Sequence, residues 1–150
     1  MPDKQTLKRV RKDAVAGKSA GTQAGEFIRE EMHHIREGKH GARSTKQAIA
    51  IGLSKARRAG VELRVPAPGK TSKAARQKAA QDVARGRRRP SAESSSRRAR
   101  ASLRALKREG HLAASRSALS RQAKTAARKR SASARSASAR KAAATRERRG

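Results

Sequence analysis

The fold is decided by residues 22–60, TQAGEFIREEMHHIREGKHGARSTKQAIAIGLSKARRAG, which contain two amphipathic helical patterns separated by a short loop. In the first pattern Thr22 can cap a helix and Gly38 can end it. Between them, large apolar side chains recur at the three- and four-residue spacing of one helix face, at Phe27, Ile28, Met32 and Ile35. We therefore predict a helix over about 22–37.

The second pattern begins with Ser44-Thr45-Lys46-Gln47, which has the arrangement of a capping box. In a capping box the serine hydroxyl accepts a hydrogen bond from the backbone, and the glutamine side chain reaches back toward the serine. One face of the following helix is lined by Ile49, Leu53 and Ala56. Because Gly60 supplies a stop, the predicted helix covers about 45–59.

Two amphipathic helices joined by a loop of about seven residues are typical of an antiparallel hairpin. Gly52 would let the two backbones approach closely. The open edge of the hairpin would be covered by Val61, Leu63 and Val65. We predict a helical hairpin module over residues 22–65, and we interpret its apolar stripe as core rather than as a binding groove.

The hairpin is flanked by two basic segments. Residues 1–21 are predicted to be a basic N-terminal arm with a short helix over 4–16. On the other side, Pro66-Ala67-Pro68-Gly69 breaks the helical pattern and indicates a linker. Residues 66–150 then form a third segment, a polycationic tail.

The tail carries most of the charge of the chain, which has 41 Lys and Arg, 11 Asp and Glu, and a net charge of +30. Residues 66–150 hold 26 of the basic and 4 of the acidic side chains, a net charge of +22. Their few large apolar side chains are Val83, Leu103, Leu106, Leu112 and Leu119. Burying so few cannot offset about 1–2 kcal/mol of conformational entropy per ordered residue. We therefore predict an all-α protein whose tail is largely disordered, with transient helices near 72–85, 95–109 and 115–130.

The positive charge predicts a nucleic acid as partner, because a polycation gains free energy by displacing counterions condensed on a polyanion. Arg and Lys without a rigid frame contact phosphates but are not aimed at base edges, so we expect binding that is nearly independent of sequence. With a single Phe and no Trp or Tyr there is no platform for stacking exposed bases, which favours double-stranded DNA. The predicted contact residues are Lys46, Arg57, Arg58, Arg85, Arg87, Arg88, Arg89, Arg97, Arg98, Arg100, Arg104, Arg121, Lys124, Arg128, Lys129 and Arg130.

One stretch of the tail, Arg85-Gly86-Arg87-Arg88-Arg89-Pro90, resembles a degenerate AT-hook. The Arg-Gly-Arg core of such a hook lies extended in a narrow minor groove, where glycine lets the backbone approach the groove floor. Here the proline comes two residues late. The alternative interpretation is a basic linker that contacts phosphates generically.

Other function classes are disfavoured by composition. The chain has no cysteine, which excludes disulfides and thiolate chemistry. The N-terminal sequence has no apolar signal region and no 18 apolar residues run together, so we expect a soluble, cytoplasmic protein with no membrane contact. No Ser-His-Asp arrangement or pocket is indicated, so no enzymatic activity is predicted.

The sequence offers possible metal ligands close together, and this suggests a metal site. They are His33, His34, His40, Glu30, Glu31 and Glu37. Adjacent histidines on one helix point about 100° apart, and metal sites in helical bundles need carboxylates from several helices around a packed core. We therefore expect solvated surface histidines, and neither a metal nor another cofactor.

Several alternatives stay open. RNA attracts a polycation as DNA does, so an RNA- or ribosome-associated protein is the second interpretation. The hairpin could instead be a protein-interaction or regulatory module, with Lys46, Gln47, Arg57 and Arg58 facing a partner and the tail localising it. Because two helices bury little surface, a homodimer forming a four-helix bundle through the hairpin is a further expectation.

Residues 22–60, with KHG at 39–41 followed by STKQAIAIGLSKAR at 44–57, resemble a small family of uncharacterised basic bacterial proteins. The tail, with ALKREG and ALSRQAKTAARKR, is similar to tails of the same family and to histone H1-like bacterial proteins. The resemblance implies a nucleoid-associated, DNA-binding role, and it brings no catalytic residue with it.

Overall fold

The computed structural model describes residues 2–88 and 93–148, and of residues 93–98 the backbone alone. These described residues form α-helices and no strand, which confirms the predicted all-α class. The helices are α1 Lys4–Val15, α2 Ala20–Arg36, α3 Thr45–Arg58, α4 Lys73–Gly86, α5 Glu93–Lys107, α6 Arg116–Arg128 and α7 Ala132–Glu147, with a 3₁₀ turn at Leu112–Ala114. None of the described helices is long and apolar enough to cross a membrane.

The chain divides into two compact units, residues 1–115 and residues 116–150. The predicted boundaries at 21/22 and 65/66 both lie inside the first unit. In that unit α2 packs on α3, as the hairpin prediction requires. A Cβ atom on Gly52 would lie 2.8 Å from the Cα of Ile28, so the predicted close approach of the two backbones at Gly52 is confirmed.

The helix starts agree with the sequence patterns in part. Ser19, not Thr22, caps α2, because its hydroxyl accepts from the backbone N–H of Thr22 at 3.3 Å and the helix begins two residues earlier than predicted. At α3 the predicted cap is confirmed, since Ser44 Oγ accepts from the N–H of Gln47 at 3.2 Å. The Gln47 side chain, however, accepts from the N–H of Arg43 at 2.7 Å instead of from Ser44.

The core of the first unit lies along the predicted stripe of α2. Phe27 and Ile35 are fully buried and Met32 nearly so, which confirms that the stripe is core. Phe27 belongs to a cluster with Ala24, Ala56 and Val61, and Leu7, Val10, Ala20, Leu53 and Leu63 pack against it. Leu7 and Val10 are on α1, so the predicted basic N-terminal helix packs on the hairpin.

The tail begins with a helix that packs against α3, contrary to the prediction that it is disordered. Asp82 on α4 is 1% exposed, and its carboxylate accepts from Ser54 Oγ and from Lys78 Nζ, both at 2.6 Å. Ala79 is also buried there. The small number of large apolar residues in the tail indicated disorder. However, α4 packs through alanine and one buried carboxylate, which need no large apolar side chains.

The last turn of α5 and the segment after it are held to the residues between α2 and α3 and to the start of α3. The backbone N–H groups of Gly41 and Ala42 donate to the carbonyls of Leu106 and Gly110 at 2.9 and 3.0 Å. A third bond runs from Thr45 Oγ1 to the carbonyl of Ala113 at 2.6 Å. The prediction of a largely disordered tail is therefore not supported for the described residues of α4, of α5 and of the 3₁₀ turn.

The second unit consists of α6 and α7 and buries none of its described residues. α6 corresponds to the transient helix predicted near 115–130. α7, which covers the tandem SASAR repeat at 131–140, was not predicted, and Ser131 caps it by accepting from the N–H of Ala134 at 3.2 Å. Alanine has the highest intrinsic helix propensity, which is the physical basis for a helix without a buried face.

Candidate nucleic-acid interface

The C-terminal ends of α3 and α4 meet, and this brings five of the predicted DNA-contacting residues to one corner of the first unit. A Cβ atom on Gly86 would lie 2.1 Å from the carbonyl oxygen of Arg57 and 3.4 Å from the N of Gly60. The two helix ends therefore touch through their backbones. We define the α3–α4 arginine cluster as the residues that these ends carry: Arg57, Arg58, Arg85, Arg87 and Arg88.

Helix dipoles make this corner a favourable place for cations. The last carbonyls of a helix carry a partial negative charge, and both α3 and α4 end here. Arg58 Nε donates to the carbonyl of Ser54 at 3.3 Å and lies 3.9 Å from Asp82 Oδ1. Arg85, Arg87 and Arg88 are exposed, and among the described residues none of the three is in an ion pair.

The other predicted contact residues whose side chains the structure describes in the first unit are in the first turn of α3 and on α5. Lys46 is exposed in the first turn of α3, about 16 Å along the helix axis from Arg57. Arg100 and Arg104 are exposed one turn apart on α5. Arg97 and Arg98 belong to α5 by their backbone, and Arg89 lies outside the described residues.

In the second unit, Arg121, Lys124 and Arg128 are exposed on α6 at the spacing of one helix face. Lys129 and Arg130 follow α6 and are exposed too. The guanidinium of Arg130 also donates to the carbonyl of Ala134 at 2.8 Å and contacts the Ser138 hydroxyl. These residues add a second basic surface in a unit with 12 basic side chains and one acidic side chain, Glu147.

The AT-hook interpretation does not fit the described geometry. Arg85 and Gly86 are the last residues of α4, and Arg87 caps it with φ −83° and ψ −15°. A hook core must be extended to lie in the minor groove. Gly86 instead serves the close contact with α3, and Pro90 lies outside the described residues.

Part of the negative charge lies inside the first unit, so its described surface carries fewer carboxylates than the composition alone indicates. Among the acidic residues whose side chains the structure describes, Asp13, Glu30, Glu31 and Asp82 are buried. Others are neutralised by ion pairs, such as Glu26 with Arg9 and Glu37 with Lys39 at 3.0 Å. The ammonium of Lys39 lowers the pKa of the exposed Glu37 carboxyl.

A buried polar cluster on α2 was missed at the sequence level. His33 is 59% exposed, as expected, but the side chains of His34 and His40 are only 12% and 8% exposed, so the prediction of solvated histidines is wrong for these two. They meet Glu31, which is fully buried. The signal was available, because Glu31 stands midway between Phe27 and Ile35, four residues from each, on the core face of the helix.

Lys55 on α3 neutralises this cluster in part. Its ammonium contacts Glu31 Oε1 and lies 3.0 Å from Glu30 Oε1. Burial alone would lower the pKa of Lys55, but the two carboxylates outweigh it and raise the pKa above its usual value. Burial would likewise raise the pKa of Glu30, but the backbone N–H of Asp3 and the Lys55 ammonium hold it below its usual value.

Two groups of side chains in this region have donor atoms close enough to hold a metal ion. They are Glu31 with His34 and His40, and Asp3 with Glu30 and His34; within each group the donor atoms lie within 4.8 Å of one another. His34 Nε2 lies 3.1 Å from Asp3 Oδ2, and this hydrogen bond lowers the pKa of Asp3. Glu30, Glu31 and His34 come from α2, and His40 comes from the loop after it. The sequence did not indicate that these side chains lie together.

The part of the chain that forms α2 and α3 matches a known family model. A family of unknown function (DUF6496) matches residues 16–68, about a third of the chain. The match is consistent with the expected resemblance to an uncharacterised family, whereas the KHG motif and the basic tail as family features stay predictions. No curated protein and no solved structure matches the chain.

Proposed function

We propose that this protein binds and compacts double-stranded DNA without sequence preference, as a histone H1-like, nucleoid-associated protein. The observation that carries the proposal is a partial separation of charge, with four carboxylates buried in the first unit and most of its described arginines exposed. A surface of this kind attracts phosphates through counterion release, and the attraction does not depend on base sequence. RNA is the alternative partner, since it offers the same phosphates.

The α3–α4 arginine cluster is the proposed anchor on the phosphate backbone. Its members stand on two helix ends in direct contact, so less side-chain and backbone freedom is lost on binding than for a flexible tail. Guanidinium groups also pair with phosphate oxygens in bidentate geometry. The second unit adds its own basic surface, and a chain with two such surfaces is suited to bridging duplexes.

The proposal is tested by fluorescence anisotropy of a labelled random-sequence duplex with the full chain, titrated between 50 and 200 mM salt. If about ten cations contact phosphates, the slope of log affinity against log salt is roughly −9. Changing the five cluster arginines to glutamine should reduce its magnitude by about four. A charge-matched control replaces five exposed basic residues elsewhere, Lys4, Lys8, Arg11, Lys12 and Lys70, and should cost less affinity.

Three results would change the conclusion. Affinity that barely varies with salt would remove the electrostatic basis of the proposal. Equal losses for the cluster variant and its control would leave DNA binding in place but remove the anchor. Tighter binding of duplex RNA than of duplex DNA of equal length would assign the RNA function instead.

A further inference from the structure

We propose that Glu31, His34 and His40 form a binding site for one divalent transition-metal ion of the zinc class, which ties α2 to the loop that follows it. The site goes beyond the proposed DNA binding and shares no residue with the basic surfaces described above. Its donor set of two imidazoles and one carboxylate is typical of zinc sites that keep a fourth position for water.

The tautomer of His40 is the first argument. His40 Nδ1 lies 3.1 Å from the carbonyl oxygen of Gly41, which can only accept, so Nδ1 carries the proton. In a neutral imidazole, Nε2 then presents a lone pair. This lone pair faces Glu31 Oε2, an acceptor, and two acceptors repel unless a proton or a metal ion lies between them. A backbone carbonyl that accepts from the far ring nitrogen is also the usual second-shell partner of a metal-bound histidine.

The distance between these two atoms is the second argument. His40 Nε2 and Glu31 Oε2 are 3.4 Å apart, longer than the roughly 2.7–2.9 Å of a charge-assisted hydrogen bond. Two ligands of a tetrahedral zinc ion, with bonds of about 2.1 Å, stand about 3.4 Å apart. Neither Glu31 oxygen accepts a hydrogen bond of ordinary geometry from a described residue, although the carboxylate is fully buried.

The charge balance is the third argument. The Lys55 ammonium contacts the Oε1 atom of Glu31 and the Oε1 atom of Glu30. The Oε2 atom of Glu31 therefore stays available to a cation. Two buried carboxylates against one ammonium leave a net negative charge in the interior, and Asp3 adds another at the rim beside His34. Buried charge is costly unless it is compensated, and a divalent cation compensates it.

The experiment uses the full chain, stripped with a chelator and titrated with Zn²⁺ against a chromophoric competitor. We expect one Zn²⁺ per chain. His34→Gln and His40→Gln should each weaken binding by more than the roughly 10–100-fold that loss of an outer-shell partner costs. His33→Gln is the matched control, because His33 is on the same helix and exposed, and it should bind zinc as the unchanged chain does.

A second measurement covers the case in which the histidine variants fail to fold. Zn²⁺ added to the unchanged, ¹⁵N-labelled chain should shift the ring nitrogens of His34 and His40 and leave those of His33 and His111 in place. Absence of zinc uptake, or equal effects at His33 and His34, would overturn the site. A His40 ring found doubly protonated in metal-free protein and unmoved by Zn²⁺ would identify the contact with Glu31 as a plain ion pair instead.

Discussion

Gly86 lies so close to the carbonyl oxygen of Arg57 that a Cβ atom at position 86 would be 2.1 Å from it. No real Cβ contact is that short, so the last turn of α4 rests on the end of α3 only because residue 86 has no side chain. This contact holds the end of α4 against the end of α3. It also places the arginines on both sides of Gly86 beside those at the end of α3.

Gly86→Ala should therefore lower the free energy of unfolding by about 1–3 kcal/mol, the usual cost of overpacking a tight contact. The atom it meets belongs to the backbone and cannot move aside as a side chain can. Urea denaturation followed by far-UV circular dichroism measures the effect. Gly110→Ala is the control, because a Cβ there meets no atom within 4 Å, and equal stabilities of the two variants would contradict the contact.

Replacing two glycines of the hairpin by alanine should change the stability of the protein in opposite directions. At Gly52 a new Cβ would lie 2.8 Å from the Cα of Ile28, so Gly52→Ala should separate α2 from α3 and destabilise the protein by about 1–3 kcal/mol. At Gly25, inside α2, a Cβ meets nothing within 4 Å. Gly25→Ala should stabilise by about 0.5–1 kcal/mol through helix propensity alone.

The same urea titrations decide this prediction, with the unchanged chain as reference. If Gly52→Ala were as stable as Gly25→Ala, the close crossing of α2 and α3 at Ile28 would be wrong. A destabilised Gly25→Ala would instead show that the surface of α2 around Gly25 is covered by another part of the chain.

Lys55 should be among the residues most sensitive to substitution, although a lysine on a helix is usually neutral to stability. Lys55→Met removes the ammonium that contacts both Glu30 and Glu31 and leaves two buried carboxylates uncompensated. Loss of one partner of a buried ion pair costs about 3–5 kcal/mol. We expect a large drop in the urea midpoint, measured in the presence of chelator so that bound metal does not contribute.

Lys46→Met is the matched control for this substitution. It changes the same residue type on the same helix, but Lys46 is exposed and the change should stay within about 0.5 kcal/mol. A Lys55→Met chain as stable as the control would mean that Glu30 and Glu31 are solvated in solution.

Local signals were enough to predict the hairpin. Each signal acts within one or two turns of helix: the periodic apolar positions of α2, the cap at Ser44, and the stops at Gly38 and Gly60. Both glycines have the positive φ that such stops require. Thr22 was mistaken for a cap because Ser19, three residues earlier, is an equally good one. Such choices between neighbouring caps set the accuracy of predicted helix ends.

Order in the tail could not be read from its large apolar residues, because the contacts that fix it are made by alanine, by polar side chains and by the backbone. Asp82 is buried against Ser54, and Gly41 donates to Leu106, and both contacts join residues far apart in sequence. The polar cluster around Glu31 was missed for the same reason. Lys55 reaches Glu31 from α3 and His40 reaches it from the loop after α2, so neither contact is visible in the pattern of a single helix.

The packing of α4 and of residues 106–114 leads to a prediction about truncation. A chain of residues 1–66 contains the whole predicted hairpin but loses Asp82, the partner of Ser54, and the carbonyls that accept from Arg36, Gly41, Ala42 and Thr45. At about 1 kcal/mol for each of these five lost hydrogen bonds, it should be less stable than the full chain by roughly 5 kcal/mol. A chain of residues 1–115 keeps every one of these contacts and should unfold at the same urea midpoint as the full chain. Equal midpoints for residues 1–66 and the full chain would show that the hairpin is self-sufficient and that the helices after it add no stability to it.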